Sequence, residues 1–238
     1  MPRQEIGVSM VFEGYIEIFT EYSPLLLEGI KNTLLLTIVS FTIGFVLGLP
    51  TAVTRVYAPR PLRWLAAIYV ELIRGTPMIV QLFLVYFALP QLGITLDPLT
   101  AAFLGMGINS GAYQAEYFRS AIGAVSRGQW EAALSIGMTK MQTIRYVVLP
   151  QALRTVIPAW TNELVYLLKY SSIAYFITVM ELVYAGKIIG TRTFKYLEVY
   201  VIISIIYLVF AILFMKISRK IEEHVAIPGL SMIKARIM

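Results

Sequence analysis

Glu116, Arg119, Glu163 and Lys169 are charged side chains set within long apolar stretches. An ionised group in hydrocarbon is costly, so charges in such positions serve either to neutralise one another or to meet an ion. Glu116 and Arg119 are three apart and share a helix face, with Tyr113 and Ser120 on the same side, so they can neutralise each other. Glu163 and Lys169 are six apart and poorly placed to pair within one helix. Glu163 therefore needs a partner from elsewhere, and the neighbouring Asn162 cannot compensate a full charge. Two readings stay open. Glu163, with Glu116, presents carboxylate to a cationic solute group along a polar pathway that also includes Arg119, or these charges pair between helices and fix their packing.

The break Arg74-Gly75-Thr76-Pro77 adds a second kind of chemistry. Proline after glycine ends one helix and begins another, with Thr76 as an N-cap, and the unpaired N–H groups left at such a break can hold a solute carboxylate. None of these groups makes or breaks bonds. Cysteine is absent and His224 is the only histidine, in a basic C-terminal stretch. No familiar nucleophile and base, and no metal-ligating set, is present. An intramembrane enzyme would have only a carboxylate pair to work with. No G-x-x-x-x-G-K-[ST] loop cradles nucleotide, so no ATP cofactor is expected in this chain.

A polar stretch, SRGQWEAALSIGMTKMQTIRYVVLPQALR from Ser126 to Arg154, interrupts the apolar sequence. It reads as two short helices. Ser126 with Gln129, and Thr139 with Gln142, have capping-box spacing, and Gly137 can end the first helix in the left-handed conformation. Pro150 stops the pair and opens the next long helix. Neither short helix has the ~20 residues a span requires, so the element lies at a membrane surface and faces something soluble.

The elements that position these residues follow from composition. The 238 residues are 58% hydrophobic and 14% charged, with a mean hydropathy of +0.73, which indicates an integral membrane protein. The net charge of +6 does not indicate nucleic acid, because Lys and Arg cluster between apolar stretches. Spans are expected at about 31–55, 62–90, 99–124, 152–184 and 196–215. Residues 1–29 are acidic, and their apolar-aromatic spacing suggests an amphipathic external segment rather than a signal peptide. Gly105, Gly107 and Gly111 allow close helix contact. Arg55, Arg60 and Arg63 after the first span, and Lys216, Arg219 and Lys220 after the last, mark the cytoplasmic side. The loop 90–98 and a turn over 185–195 are then external, with the N-terminus outside and the C-terminus inside. Glu181 stands near the external end of the fourth span, where a gate and a structural role are equally open. The expected domains are 1–29, a five-span unit over 30–223 containing the 126–150 hairpin, and a tail over 224–238. No internal repeat supports an inverted-repeat transporter.

Glu131-Ala132-Ala133, Gly137 and Leu149-Pro150 follow the order of the EAA loop of bacterial ABC importer membrane subunits. Glu71 to Pro77, Tyr113 to Arg119, Pro150 to Arg154, Asn162-Glu163, Leu167 to Lys169 and Glu181-Leu182 resemble the polar amino acid branch of those permeases. The resemblance covers nearly all of 30–223. It departs at Lys169-Tyr170-Ser171-Ser172, where the branch has Lys-Asp-Thr-Ser, so any role of that aspartate does not transfer. The resemblance implies an all-α type I ABC importer permease fold in the bacterial cytoplasmic (inner) membrane. It also implies a second permease subunit, identical or paralogous, a cytoplasmic ATPase dimer that binds ATP and Mg, and an external solute-binding protein. In that setting Gln129, Glu131, Ala132, Ala133, Gly137, Leu149 and Pro150 would couple to the ATPase. Gly75, Thr76, Pro77, Tyr113, Glu116, Arg119, Asn162 and Glu163 would line the path of an amino acid, with cationic ones favoured. A secondary amino acid transporter or an ion channel is the alternative, but it leaves the hairpin unexplained.

Overall fold

The computed structural model describes residues 14–225. Much of the expected 1–29 segment and most of the 224–238 tail lie outside the described residues. The described residues are mostly helical, with no strand among them. A short helix α1 (14–21) is followed by α2 (Ser23–Tyr57), α3 (Arg60–Arg74) and α4 (Met78–Phe83), the last extended by a π turn and a 3-10 turn to Leu92. Then come α5 (Pro98–Gly123), α6 (Arg127–Ser135), α7 (Lys140–Thr143), α8 (Leu149–Thr155), α9 (Ile157–Tyr170), α10 (Leu182–Thr193) and α11 (Tyr196–Val225).

Two helices, α2 and α11, are long and apolar enough to cross a bilayer. Two further pairs meet that standard only together: α3 with 78–92, bent by 103°, and 157–177 with α10, bent by 55°. The sequence-based count of five also includes α5. Its 26 residues reach about 39 Å, but its small and polar side chains leave it short of the same apolar standard.

The bends have local causes. After α3 the N–H of Gly75 donates to the Glu71 carbonyl at 2.8 Å, and a Cβ on Gly75 would stand 2.8 Å from that same oxygen. The Thr76 hydroxyl donates back to the Leu72 carbonyl at 2.9 Å, and Pro77 cannot continue the helix. At the second bend, α9 tightens to a 3-10 helix over Ser171–Ile177, and Thr178 closes it at φ 65°. Glu181 then caps α10, accepting the N–H groups of Val183 and Tyr184 at 2.8 Å each. The expected external turn over 185–195 is therefore mostly helix. Lys187 and Arg192 sit along α10, and the chain reverses at Phe194, with φ 58°, before Lys195. The first span likewise begins at Ser23 rather than Lys31, and the last runs on to Val225.

The described residues form two compact units. One takes 14–40, 78–106 and 166–212, with a core that includes Ile18, Leu26, Leu182, Ile189 and Ile203. Asn32 donates to the Met180 carbonyl at 2.7 Å and the Leu182 N–H donates to Thr33 at 3.1 Å, so the start of α2 is tied to the start of α10. Tyr207 of α11 donates to Glu181 at 3.2 Å, which completes a structural role for that carboxylate. Glu17 pairs with Lys195, fixing α1 in the same unit. Asp97 caps α5 by accepting the Thr100 N–H at 3.0 Å, and that bond holds its carboxyl below the usual carboxylate range.

The other unit takes 41–77, 107–165 and 213–225. Here Gly44 and Gly48 of α2 lie against Ser110, Gly111 and Gln114 of α5, and Gly107 of α5 lies against Ile43 of α2, so two four-residue glycine spacings let the backbones approach. A Cβ on Gly48 would come within 2.9 Å of the Gly111 carbonyl oxygen, and one on Gly107 within 2.6 Å of Ile43. Below this contact Trp160 packs against Phe41, Phe45 and Phe118, at centroid distances of 4.9, 5.2 and 5.8 Å.

Candidate functional site

The close approach of α2 and α5 leaves room for a chain of polar groups in the second unit. The Trp160 indole N–H donates to Gln114 Oε1 at 2.6 Å. Gln114 Nε2 donates to the Phe41 carbonyl and to Ser110 Oγ, both at 3.0 Å. Ser110 Oγ donates to Glu163 Oε1 at 2.7 Å, and the Tyr117 hydroxyl reaches Glu163 Oε2 at 3.4 Å. Glu163 is 2% exposed. Its recorded partners are these two hydroxyls, and no Lys or Arg pairs with it among the described residues. The partner that the sequence demands for Glu163 is thus neutral. Asn162, next to it, is exposed.

One helix face further round α5, Glu116 has the opposite surroundings. Arg119 binds Glu116 Oε1 through Nε at 2.9 Å and through its terminal nitrogen as well. Arg55 of α2 donates to Oε2 at 2.6 Å, and Arg74 at the end of α3 stands 4.0 Å away. The Arg74 guanidinium also lies 5.3 Å from the centre of the Tyr113 ring. The pairing expected from the three-residue spacing of Glu116 and Arg119 is present. Two more arginines, from distant positions in sequence, join it. A carboxylate held by several guanidiniums is poorly suited to attract another cation. Gly75, Thr76 and Pro77 are exposed next to Arg74 in sequence.

The hairpin is built partly as its sequence indicates. Thr139 and Gln142 form the expected capping box, with bonds of 2.8 and 3.3 Å. Gly137 sits at φ 86°, its N–H donating to Leu134 and that of Met138 to Ala133, which closes α6 in a Schellman motif. The expected box at Ser126 and Gln129 does not form. Ser126 makes no side-chain cap bond; its carbonyl accepts the Gln129 N–H at 3.0 Å, and the Gln129 side chain lies 3.5 Å from Gln151 instead. Glu131 pairs with Arg127 at 3.1 Å on the exposed side.

Ala133 is 3% exposed, so it faces inward. Gln129, Glu131, Ala132, Gly137 and Pro150 are exposed, and Leu149 is half-buried. Ile136, at 77% exposure, and Met141 stand out from the same hairpin. The Tyr57 and Trp130 rings stack at 5.4 Å, and Val148 and Ala152 pack on Phe118, Ala121 and Ile122. These contacts tie the hairpin to α2 and α5. At the departure Lys169-Tyr170-Ser171-Ser172, the tyrosine stacks on Tyr166 at 4.0 Å.

Residues that sequence reasoning passes over include Ser110, Gln114 and Trp160. Their signal is a polar side chain on α5 every three or four positions, at Ser110, Gln114 and Tyr117, opposite Glu163.

Comparison with known proteins agrees with this architecture. Residues 42–226 match the family of binding-protein-dependent transport system inner membrane components. A probable amino-acid ABC transporter permease of Bacillus subtilis (strain 168), YckA, is 44% identical over 187 residues, covering 79% of this chain and 83% of the relative. The L-cystine transport system permease TcyB of the same organism is 41% identical over 202 residues, covering 84% and 86%. The crystal structure of an amino acid ABC transporter with histidines superposes with a TM-score of 0.81 at 40% identity, covering 87% of this chain and 96% of that one. The chain belongs to the binding-protein-dependent transport system inner membrane component family, as an amino acid ABC transporter permease.

Proposed function

We propose that this permease lines the path of a polar amino acid, with cationic ones favoured, and that Glu163 receives the substrate's positively charged group. The observation that supports this is a carboxylate buried within one unit with hydroxyl partners and no cation. Every amino acid supplies an α-ammonium, and arginine, lysine or histidine adds a second cationic group. Glu116 is already surrounded by arginine, so it holds the helices together, while Arg74 and Arg119 give that end of α5 a positive field suited to a substrate carboxylate. Glu163 is closed off in this conformation. The group it receives enters when the helices move apart.

That motion comes from a partner. ATP and Mg bind a separate ATPase dimer, and the hairpin transmits its closure to the spans through Gln129, Glu131, Ala132, Ile136, Met141 and Pro150. Its stacked and buried anchors at Trp130, Ala133 and Val148 make it a stiff lever. A second permease subunit completes the pathway, an external solute-binding protein delivers the substrate, and the basic segments support a cytoplasmic C-terminus.

Glu163→Gln keeps an acceptor for Ser110 and removes the charge. In the reconstituted complex with its ATPase and binding protein, this change is expected to lower uptake and substrate-stimulated ATP hydrolysis about tenfold, an effect of about 1.4 kcal/mol. Copurification of the ATPase should be unchanged. Full uptake by the variant would overturn the assignment of Glu163. Competition in which neutral amino acids match arginine, lysine and histidine would overturn the cationic preference alone.

A further inference from the structure

Arg55, Arg60, Arg63 and Arg119 line one open pocket of about 490 Å³ together with Trp64 and Ala67, between the end of α2, the first turns of α3 and the last turns of α5. Arg55 and Arg119 are shared with Glu116, and Arg55 also stands 3.9 Å from Glu71, which leaves four arginines against two carboxylates. Arg60 and Arg63 have no carboxylate partner among the described residues. The pocket therefore carries an excess of positive charge that this chain does not neutralise.

Its setting narrows what could neutralise it. Beside the two arginines, α3 exposes Leu62, Trp64, Leu65, Ile68 and Leu72, with Trp64 at 71% exposure. A helix with an apolar face, an aromatic ring and adjoining arginines is suited to the headgroup layer of a bilayer. Guanidinium forks match the oxygens of phosphate in a bidentate manner. We propose that this pocket binds a phosphate group, carried by an anionic phospholipid or present as the free ion. The site is separate from Glu163 and does not depend on the role given to that residue.

The full chain, purified in a neutral detergent, is titrated with fluorescent phosphatidylglycerol and, separately, with fluorescent phosphatidylcholine. The native chain should prefer the anionic lipid. The double variant Arg60→Gln with Arg63→Gln should lose affinity for it about 5-fold for each arginine neutralised. Arg60→Lys with Arg63→Lys keeps the charge but loses the fork, so it should bind more tightly than the glutamine variant and less tightly than the native chain, which separates loss of the site from loss of folding. Displacement of the lipid by millimolar inorganic phosphate would assign the site to the phosphate group alone. Binding that resists inorganic phosphate but still requires both arginines would assign it to the lipid. Equal affinity for the two lipids, or unchanged binding in the glutamine variant, overturns the proposal. So does a glutamine variant that loses its ATPase partner while lipid binding stays the same, since the arginines would then serve a protein contact.

Discussion

The Ser110 hydroxyl on α5 donates a hydrogen bond to Glu163 on α9 at 2.7 Å, and the same oxygen accepts from Gln114 at 3.0 Å. Ser110 thus stands between a carboxylate without a counter-cation and an amide already committed to Trp160 and Phe41. The relay fixes the direction of the Glu163 carboxylate before any solute arrives.

Ser110→Ala removes the donor without filling the space. Hydrogen bonds between helices in membranes are worth about 0.6 kcal/mol on average and at most about 1.7, so the protein should fold, with a stability loss of about 1 kcal/mol. With Glu163 less firmly aimed, the transport KM should rise several-fold while maximal uptake changes little. Concentration-dependent uptake in proteoliposomes, beside thermal unfolding in detergent, measures both. A KM equal to that of the native chain would show that Ser110 serves packing only.

Gly44→Leu tests the contact that makes the relay possible. A Cβ at this position alone would come 2.7 Å from Ser110 Oγ and 2.9 Å from Ser110 Cβ, so α2 and α5 must separate. Overpacking of this kind costs about 1–3 kcal/mol, and here it also breaks the Gln114 bonds. The folded yield and the unfolding temperature should both fall. Gly123→Ala is the control, because nothing lies within 4 Å of a Cβ there, and alanine should leave stability equal or slightly raised. Equal tolerance at the two positions would mean that the glycine contact does not hold these helices.

How much of this was legible in the sequence depended on range. Glu116 with Arg119, and Thr139 with Gln142, were readable because three-residue spacing on a helix is a local rule. Arg55 and Arg74 reach Glu116 from other helices, and no spacing encodes that. Ser126 with Gln129 had the same spacing as Thr139 with Gln142 yet formed no box, because the Ser126 carbonyl and Gln151 took the partners the box needed. Residues 185–195 read as an external turn between two spans. Glu181 as an N-cap makes most of them helix, with Lys187 over the Tyr175 ring at 5.0 Å. Gly44 and Gly48 carry a readable four-residue spacing, but which glycines face each other emerges only once α2 and α5 are paired.

Ile136 and Ala133 separate contact with a partner from support of the hairpin. The resemblance offers Ala133 as a coupling position and passes over Ile136, but the fold gives the two opposite surroundings. Ala133 is 3% exposed and supplies the carbonyl that closes the Schellman motif, whereas Ile136 is 77% exposed one residue before the left-handed Gly137. An aspartate at 133 must be buried without a partner, a cost of several kcal/mol, so Ala133→Asp should lower folded yield and detergent stability before any question of coupling arises. Ile136→Asp replaces an exposed apolar side chain and should change stability by no more than about 0.5 kcal/mol. If the hairpin inserts its apolar tip into an ATPase groove, Ile136→Asp should lose the rise in ATP hydrolysis that the loaded binding protein produces, because a single anchor at the centre of a contact can carry 2 kcal/mol or more, roughly a thirtyfold change. ATPase assays on the reconstituted complex, read beside the unfolding temperature of the isolated chain, resolve the two effects. Coupling that survives Ile136→Asp would move the docking face to the Glu131 and Ala132 side of α6.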